Sequence, residues 1–317
     1  MEVIINKNNE QHIIKNNIRV ISKYDKEYPS KLLEIYNPPE RLYLKGKLPS
    51  SINCTNKNIA IVGSRNMSTY GKEMAKMLAR ELARAGINVI SGLARGIDAK
   101  AHEGALEGEG YTLGVLGCGI NHIYPRENIE LYLEMEKKGG IISEYEPDMP
   151  GLPKNFPERN RIISGLSDGV IVIEAKKKSG SLITAEHALE QGKQVYAVPG
   201  RAYDDNSEGT NNLIKMGALC VTCAEDVLWD LNGGEMCRKK ENFREENEER
   251  NVGGDIKRQM NKTEKMIYDF LDLEPKYIDD IIQRAGIGIT NTISTLYIME
   301  EKNIIKQPVK GYYIISI

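Results

Sequence analysis

Aromatic side chains are scarce in this chain: they make up 6% of its 317 residues and include only three phenylalanines and one tryptophan. No stretch approaches the roughly 20 apolar residues that a membrane span requires, and the start, MEVIINKNNEQ, has no apolar signal segment. These absences predict a soluble, unexported protein of the cytoplasm. Neither sign of charge is in excess, since 43 Lys and Arg stand against 45 Asp and Glu for a formal net charge of -2. Affinity for a polyanion would therefore have to come from a local concentration of basic residues.

Paired cysteines are also missing. The five present (Cys54, Cys118, Cys220, Cys223, Cys237) are odd in number and scattered, which argues for reduced thiols and against a disulfide framework. Cys220-Val-Thr-Cys223 has redox-motif spacing, but no second pair accompanies it for zinc, so it reads as structural. The four histidines (His12, His102, His122, His187) form no ligand spacing. Neither a metal nor a cofactor is predicted.

What the chain does have is rhythm. From Asn58 short β-branched runs alternate with helical periodicity: strands at Ile59 to Val62, Asn88 to Ser91, Thr112 to Leu116, Ile141 to Ser143, Val170 to Glu174 and Gln194 to Val198, with helices over Tyr70 to Ala85, from Asp98, and over Ser181 to Gln191. This alternation predicts an α/β fold, an extended Rossmann-like parallel sheet with helices on both faces. Residues 1–50, with Tyr28-Pro29 and Pro38-Pro39 ahead of a short strand at Arg41 to Leu44, read as an extension packed on the main domain of 51–231. Residues 232–261 are highly charged with almost no apolar anchors and read as a flexible linker. Residues 262–317 read as three helices (Thr263 to Leu271, Lys276 to Arg284, Thr290 to Lys302) and a hairpin around Gly311, a winged helix. Acidic residues slightly outnumber basic ones there, so DNA contact and protein docking are equally open roles for it.

In an open parallel sheet, ligands bind beyond the carboxyl ends of the strands. The first strand leads into Gly63-Ser64-Arg65, where glycine permits close backbone approach and the next helix turns free N–H groups toward a phosphate. The second leads into Ser91-Gly92-Leu93-Ala94-Arg95-Gly96, with Asp98 read as a helix cap. Further along lie Lys154-Asn155-Phe156-Pro157-Glu158-Arg159-Asn160-Arg161, then Lys176-Lys177-Lys178-Ser179-Gly180-Ser181, then Pro199-Gly200-Arg201. Each loop alone has a bland explanation in turns, caps and solvated lysines. Their coincidence, together with Arg95 and Arg126, predicts one basic edge on a mildly acidic protein, suited to a chain of phosphates. Phe156 lies in that edge, either stacking on an unpaired base or closing the core; Tyr124 and Tyr203 are weaker candidates for stacking.

Enzyme motifs fail on spacing. Gly63 to Gly71-Lys72-Glu73 is too long for a P-loop, Gly117-Cys118-Gly119 lacks the third glycine of a dinucleotide fingerprint, and no Ser, His and acid order fits a hydrolase. Glu174 and Glu186 are the only pair to consider for acid–base work. No catalytic residue is assigned.

At these loops the chain closely resembles the DNA-processing protein A family (DprA, also called Smf), through IAIVGSR at 59–65, SGLARGIDAKAH at 91–102, FPERNRIISGLSD at 156–168, SGSLITAEHAL at 179–189 and VPGR at 198–201. The resemblance spans roughly 24 to 231. It implies a single-stranded DNA-binding protein that protects the strand and loads a RecA-type recombinase in DNA processing, natural transformation and recombination, without cleaving DNA. It implies contacts from Gly63, Ser64, Arg65, Lys154, Phe156, Arg159, Asn160, Ser179 and Gly180, to which the basic edge adds Arg161, Lys178 and Arg201; Gly92 matches the family's pocket. It further implies a homodimer. Many members carry a longer helical domain before the segment matching Tyr24 to Gly46. The alternative is a nucleoside monophosphate phosphoribohydrolase on the same fold, which Ser179 to Glu186 loosely fits.

Overall fold

The computed structural model describes residues 18–48, 57–233 and 260–316. They belong to two compact units, Met1–Leu231 and Asn232–Ile317.

In the first unit nine strands form one sheet: β1 (Arg19–Ser22), β2 (Arg41–Gly46), β3 (Asn58–Val62), β4 (Asn88–Ser91), β5 (Thr112–Val115), β6 (Gly140–Ser143), β7 (Gly169–Val172), β8 (Gln194–Ala197) and β9 (Leu219–Cys220). Their spatial order is β1-β2-β6-β5-β4-β3-β7-β8-β9. From β6 to β9 in that order every pairing is parallel. Successive strands step outward from β3 to β6 on one side, and β7 restarts on the other side of β3. The crevice between the ends of β3 and β7 is thus the topological switch point, where such folds bind ligands.

The strands are apolar on both faces because both are covered. In β3, Ala60 and Val62 join one core layer and Ile59 and Ile61 the other. The first layer is closed by α4 (Asn155–Leu166) and α5 (Gly180–Glu190), the second by α1 (Thr69–Arg84), α2 (Ile97–Glu107) and α7 (Ala224–Leu231). Leu78 and Leu82 of α1 are fully buried, and each contributes about 1.5–3 kcal/mol of hydrophobic stabilisation. Helix α3 (Ile129–Lys138) packs a third cluster through Leu131, Tyr132 and Met135.

Within the amino-terminal segment, expected as an extension packed on the main domain, residues 18–48 contribute two strands to the main sheet. β2 pairs antiparallel with β6, and β1 with β2, so the segment continues the sheet at that edge. The cause is the alternation in β2, where Leu42 and Leu44 enter the first core layer while Tyr43 enters the third cluster. Leu32 and Ile35 pack on α4, close enough that a Cβ at Gly165 would lie 2.7 Å from Ile35 Cγ2.

In the second unit, α8 (Lys262–Tyr268), β10 (Lys276–Tyr277), α9 (Ile278–Ala285), α10 (Ile289–Glu301), β11 (Ile305–Val309) and β12 (Tyr312–Ile315) follow in order. The helix expected from Lys276 starts at Ile278, because Lys276 and Tyr277 pair with β12. Asn261 and Glu264 close a reciprocal capping box on α8, and Gly286, at φ 62°, ends α9. Ile267, Ile281, Leu296, Met299 and Ile305 form its core. Of the expected linker, residues 234–259 lie outside the described residues, as do Cys54, Cys237 and His12.

Candidate nucleic-acid interface

A groove of about 580 Å³ opens at the switch point, lined on one wall by Gly63, Ser64 and Arg65 after β3 and on the other by Lys178, Ser179 and Gly180 after β7. The first wall is held by close backbone packing. Gly96, at φ 83°, lies so near that a Cβ there would sit 2.3 Å from Ser64 O, and the Ile97 amide donates to Ser64 O at 3.2 Å. Gly63 approaches Ile97 in the same way, 2.7 Å from a virtual Cβ to Cγ1. The second wall is the start of α5. Ser179 caps it by accepting from the Ser181 amide, and the two hydroxyls lie 2.8 Å apart. The positive dipole end of this helix, with the Ser179 and Ser181 hydroxyls, makes the wall receptive to an anion.

Between the walls, Asn160 is mostly buried and donates through Nδ2 to Gly180 O at 3.2 Å, tying α4 to the start of α5. Phe156, at the beginning of α4, is half-buried and packs on Gly117, where a Cβ would come within 2.8 Å of its ring. The Tyr124 ring centroid lies 5.4 Å from that of Phe156, and the exposed Arg65 guanidinium 5.5 Å from it. Phe156 thus packs on Gly117 with one part of its ring and lines the groove with another. Lys154 is exposed beside the groove, and Gly92 lies in a small adjoining pocket with Arg65 and Phe156.

The surroundings of several of these side chains differ from an open basic edge. Arg161 is not part of an open basic edge: its guanidinium donates to both carboxylate oxygens of Glu144, at 2.9 and 2.6 Å, with both side chains largely buried. Arg159 lines the floor of the groove but is only 3% exposed, donating to Gly92 O at 2.8 Å and to Val115 O because its position on α4 turns it inward under the sheet end. The lysine run is partly neutralised, Lys176 pairing with Asp205 at 3.2 Å and Lys177 with Glu208 at 3.6 Å. Asp98 does not cap α2; that position falls to Gly96. Its carboxylate instead accepts the Gly92 amide at 3.1 Å, and burial pushes its pKa up against the opposing pull of Arg159. Arg201 is exposed on the loop after β8 and is absent from the groove lining.

Glu174 is likewise no free acid or base. Only 3% exposed, it accepts from the Ser68 amide at 2.9 Å and from the Ser68 hydroxyl, anchoring the start of α1. Burial raises its pKa against those bonds, while Glu186 is exposed on α5. Sequence reasoning missed Asn206, which donates to Asn66 O at 3.1 Å and braces the Arg65 loop from α6 (Asp205–Lys215). No local pattern signals that contact. Among the described residues no group of His, Cys, Asp and Glu is arranged to hold a metal ion, and no helix is long and apolar enough to cross a membrane.

Fold and groove together define a Rossmann-like α/β protein with an anion-receptive cleft at its switch point. The chain belongs to the DNA recombination-mediator protein A family, which it matches over residues 19–232. It is 45% identical over 214 residues to the DNA processing protein DprA of Bacillus subtilis (68% of this chain, 71% of that protein). It is 45% identical over 208 residues to protein Smf of Escherichia coli, covering 65% of this chain and only 55% of that protein's length. Among solved structures it is similar to DNA processing protein A of Streptococcus pneumoniae, with a TM-score of 0.64, 41% identity and coverage of 69% and 77% of the two chains. It is also similar to DNA processing protein A of Helicobacter pylori, whose structure concerns a single-stranded DNA binding mode: TM-score 0.61, 31% identity, coverage 69% and 97%.

Proposed function

We propose that this chain binds single-stranded DNA in the switch-point groove, as a binding protein and not an enzyme. The observation that carries the reading is the meeting, in one groove, of phosphate chemistry and base chemistry: Arg65, Lys178 and the start of α5 at Gly180 beside the Phe156 and Tyr124 rings. Stacking on aromatic faces needs unpaired bases, which favours a single strand over a duplex. Gly63, Ser64, Gly180 and Asn160 shape the path, and Lys154 adds charge beside it.

The family relationship extends this reading to a homodimer of the cytoplasm that protects the strand and loads a RecA-type recombinase in recombination and natural transformation. The second unit is read as a winged helix whose slight acidic excess leaves DNA contact and protein docking equally open. The phosphoribohydrolase reading loses its acid–base pair, since Glu174 is committed to Ser68.

The test is a salt-series titration against fluorescent oligo-dT and a matched duplex, with a nucleoside monophosphate turnover assay on the same preparation. Tight, salt-sensitive preference for the single strand without turnover is expected. Monophosphate cleavage without DNA binding would overturn the reading.

A further inference from the structure

A buried arginine at the floor of the groove lies near a buried acid, and both hold backbone of the same loop. Arg159 Nη1 donates to Gly92 O at 2.8 Å, and Asp98 Oδ2 accepts the Gly92 amide at 3.1 Å. The two side chains meet where Gly92 has no side chain: a Cβ there would lie 2.6 Å from Arg159 Nη2 and 2.6 Å from Asp98 Oδ2. Both are nearly sealed from solvent, at 3% and 7% exposure. The loop they clamp is unusual, because the next residue, Leu93, is buried and adopts φ 56°, a left-handed conformation that a bulky side chain holds only when its surroundings impose it. Three residues on, Gly96 presses against Ser64 O and Arg65, and the Ile97 amide donates to Ser64 O at 3.2 Å.

We propose that Asp98 and Arg159 are positioning residues which, as two buried opposite charges that each bond the backbone of Gly92, fix the 92–96 loop and through it the Gly63-Ser64-Arg65 wall in the geometry that receives the strand. The inference rests on the single-stranded DNA reading and assigns neither residue a contact with phosphate. Arg159 is unsuited to that contact: its Nη1 is committed to two backbone carbonyls, Gly92 O and Val115 O, and its charge is opposed by Asp98. Both bonds leave one nitrogen at the end of the long planar guanidinium, a position that the shorter, tetrahedral ammonium of a lysine does not reproduce, whereas lysine serves well as a phosphate contact.

The salt dependence of binding separates the two roles, because its slope counts phosphates neutralised and not the shape of the wall. In oligo-dT titrations over a salt series, Asp98→Asn is expected to weaken binding about tenfold or more with the slope of the parent protein, alongside faster amide exchange in residues 92–97. Arg159→Lys is expected to do the same although it keeps its charge, and this second variant serves where Asp98→Asn fails to melt cooperatively. Parental affinity in either folded variant, or a slope reduced by about the 0.7 expected for one single-strand phosphate contact, overturns the proposal. Should the parent itself show no salt-dependent binding to oligo-dT, the single-strand reading fails and the proposal with it; that failure is seen before any variant is made.

Discussion

The guanidinium of Arg161 grips both oxygens of Glu144, at 2.9 and 2.6 Å, in a setting where the two side chains are only 13% and 15% exposed. A forked pair so placed acts inside the protein, and its charge is already answered. Arg161→Ala is expected to lower stability by about 1.5–3 kcal/mol, the range for hydrogen bonds to charged groups, while leaving the salt slope of oligo-dT binding unchanged. Denaturant melts and salt-series titrations on the same variant check both halves.

Arg65 is exposed at the groove wall and Lys154 beside it. Arg65→Ala and Lys154→Ala are each expected to weaken oligo-dT binding and to reduce the salt slope by roughly 0.7, the share of one phosphate on a single strand. A weaker complex with the parental slope would take these residues out of phosphate contact.

Phe156 predicts the converse. With its ring against Tyr124 and Arg65, Phe156→Ala is expected to lose about 1–3 kcal/mol of single-strand affinity at unchanged slope, the amount associated with one stacked base. Part of any loss in stability comes from its packing on Gly117, so a thermal melt belongs beside the titration.

Two buried groups pull the pH dependence of stability in opposite directions. Thr112 Oγ1 donates to Val89 O, so it accepts from His102 Nδ1–H, and His102 Nε2 is left bare and buried. Burial, the larger cause, and Arg159 lower the His102 pKa from 6.5 to about 3. Between those values the unfolded chain binds a proton that the folded chain refuses, so stability falls as pH drops from 6.5 toward 3. Glu174 has the reverse sign: its folded pKa is raised by burial, so its contribution is full below the ordinary carboxylate range and declines as pH rises through the folded value. Urea melts from about pH 4 to about pH 7 should show a shallower acid loss in His102→Gln and the removal of the opposing decline in Glu174→Gln.

How far these features could be read from sequence follows from what each depends on. The run Ile59 to Val62 followed by periodicity from Tyr70 locates β3 and α1 because the alternation of apolar residues is a local property. Helix α6 escaped notice: DNSEGTNNLIK has weak helical preference, and tertiary bonds, from the Gly209 amide to Ala175 O and from the Ala175 amide to Asn206 O, hold it in place. Strand β1, only four residues long, is defined by its pairing with β2. In the site, the loops after the strands announce themselves through glycine, serine and arginine, but the direction of each side chain does not. Arg159 and Arg161 lie two steps apart on α4, about 200° around the helix, and each meets a different acid, Asp98 or Glu144, that no local pattern connects to it.

Helix α6 has a consequence for the lysines after β7. Asp205 and Glu208, in its first turn, already stand against Lys176 and Lys177. The protein therefore supplies its own counterions at this wall. A strand that engages these lysines must break a pair already made, so the net attraction at this wall is smaller than its lysines alone would give, although each phosphate neutralised still releases its own condensed cation.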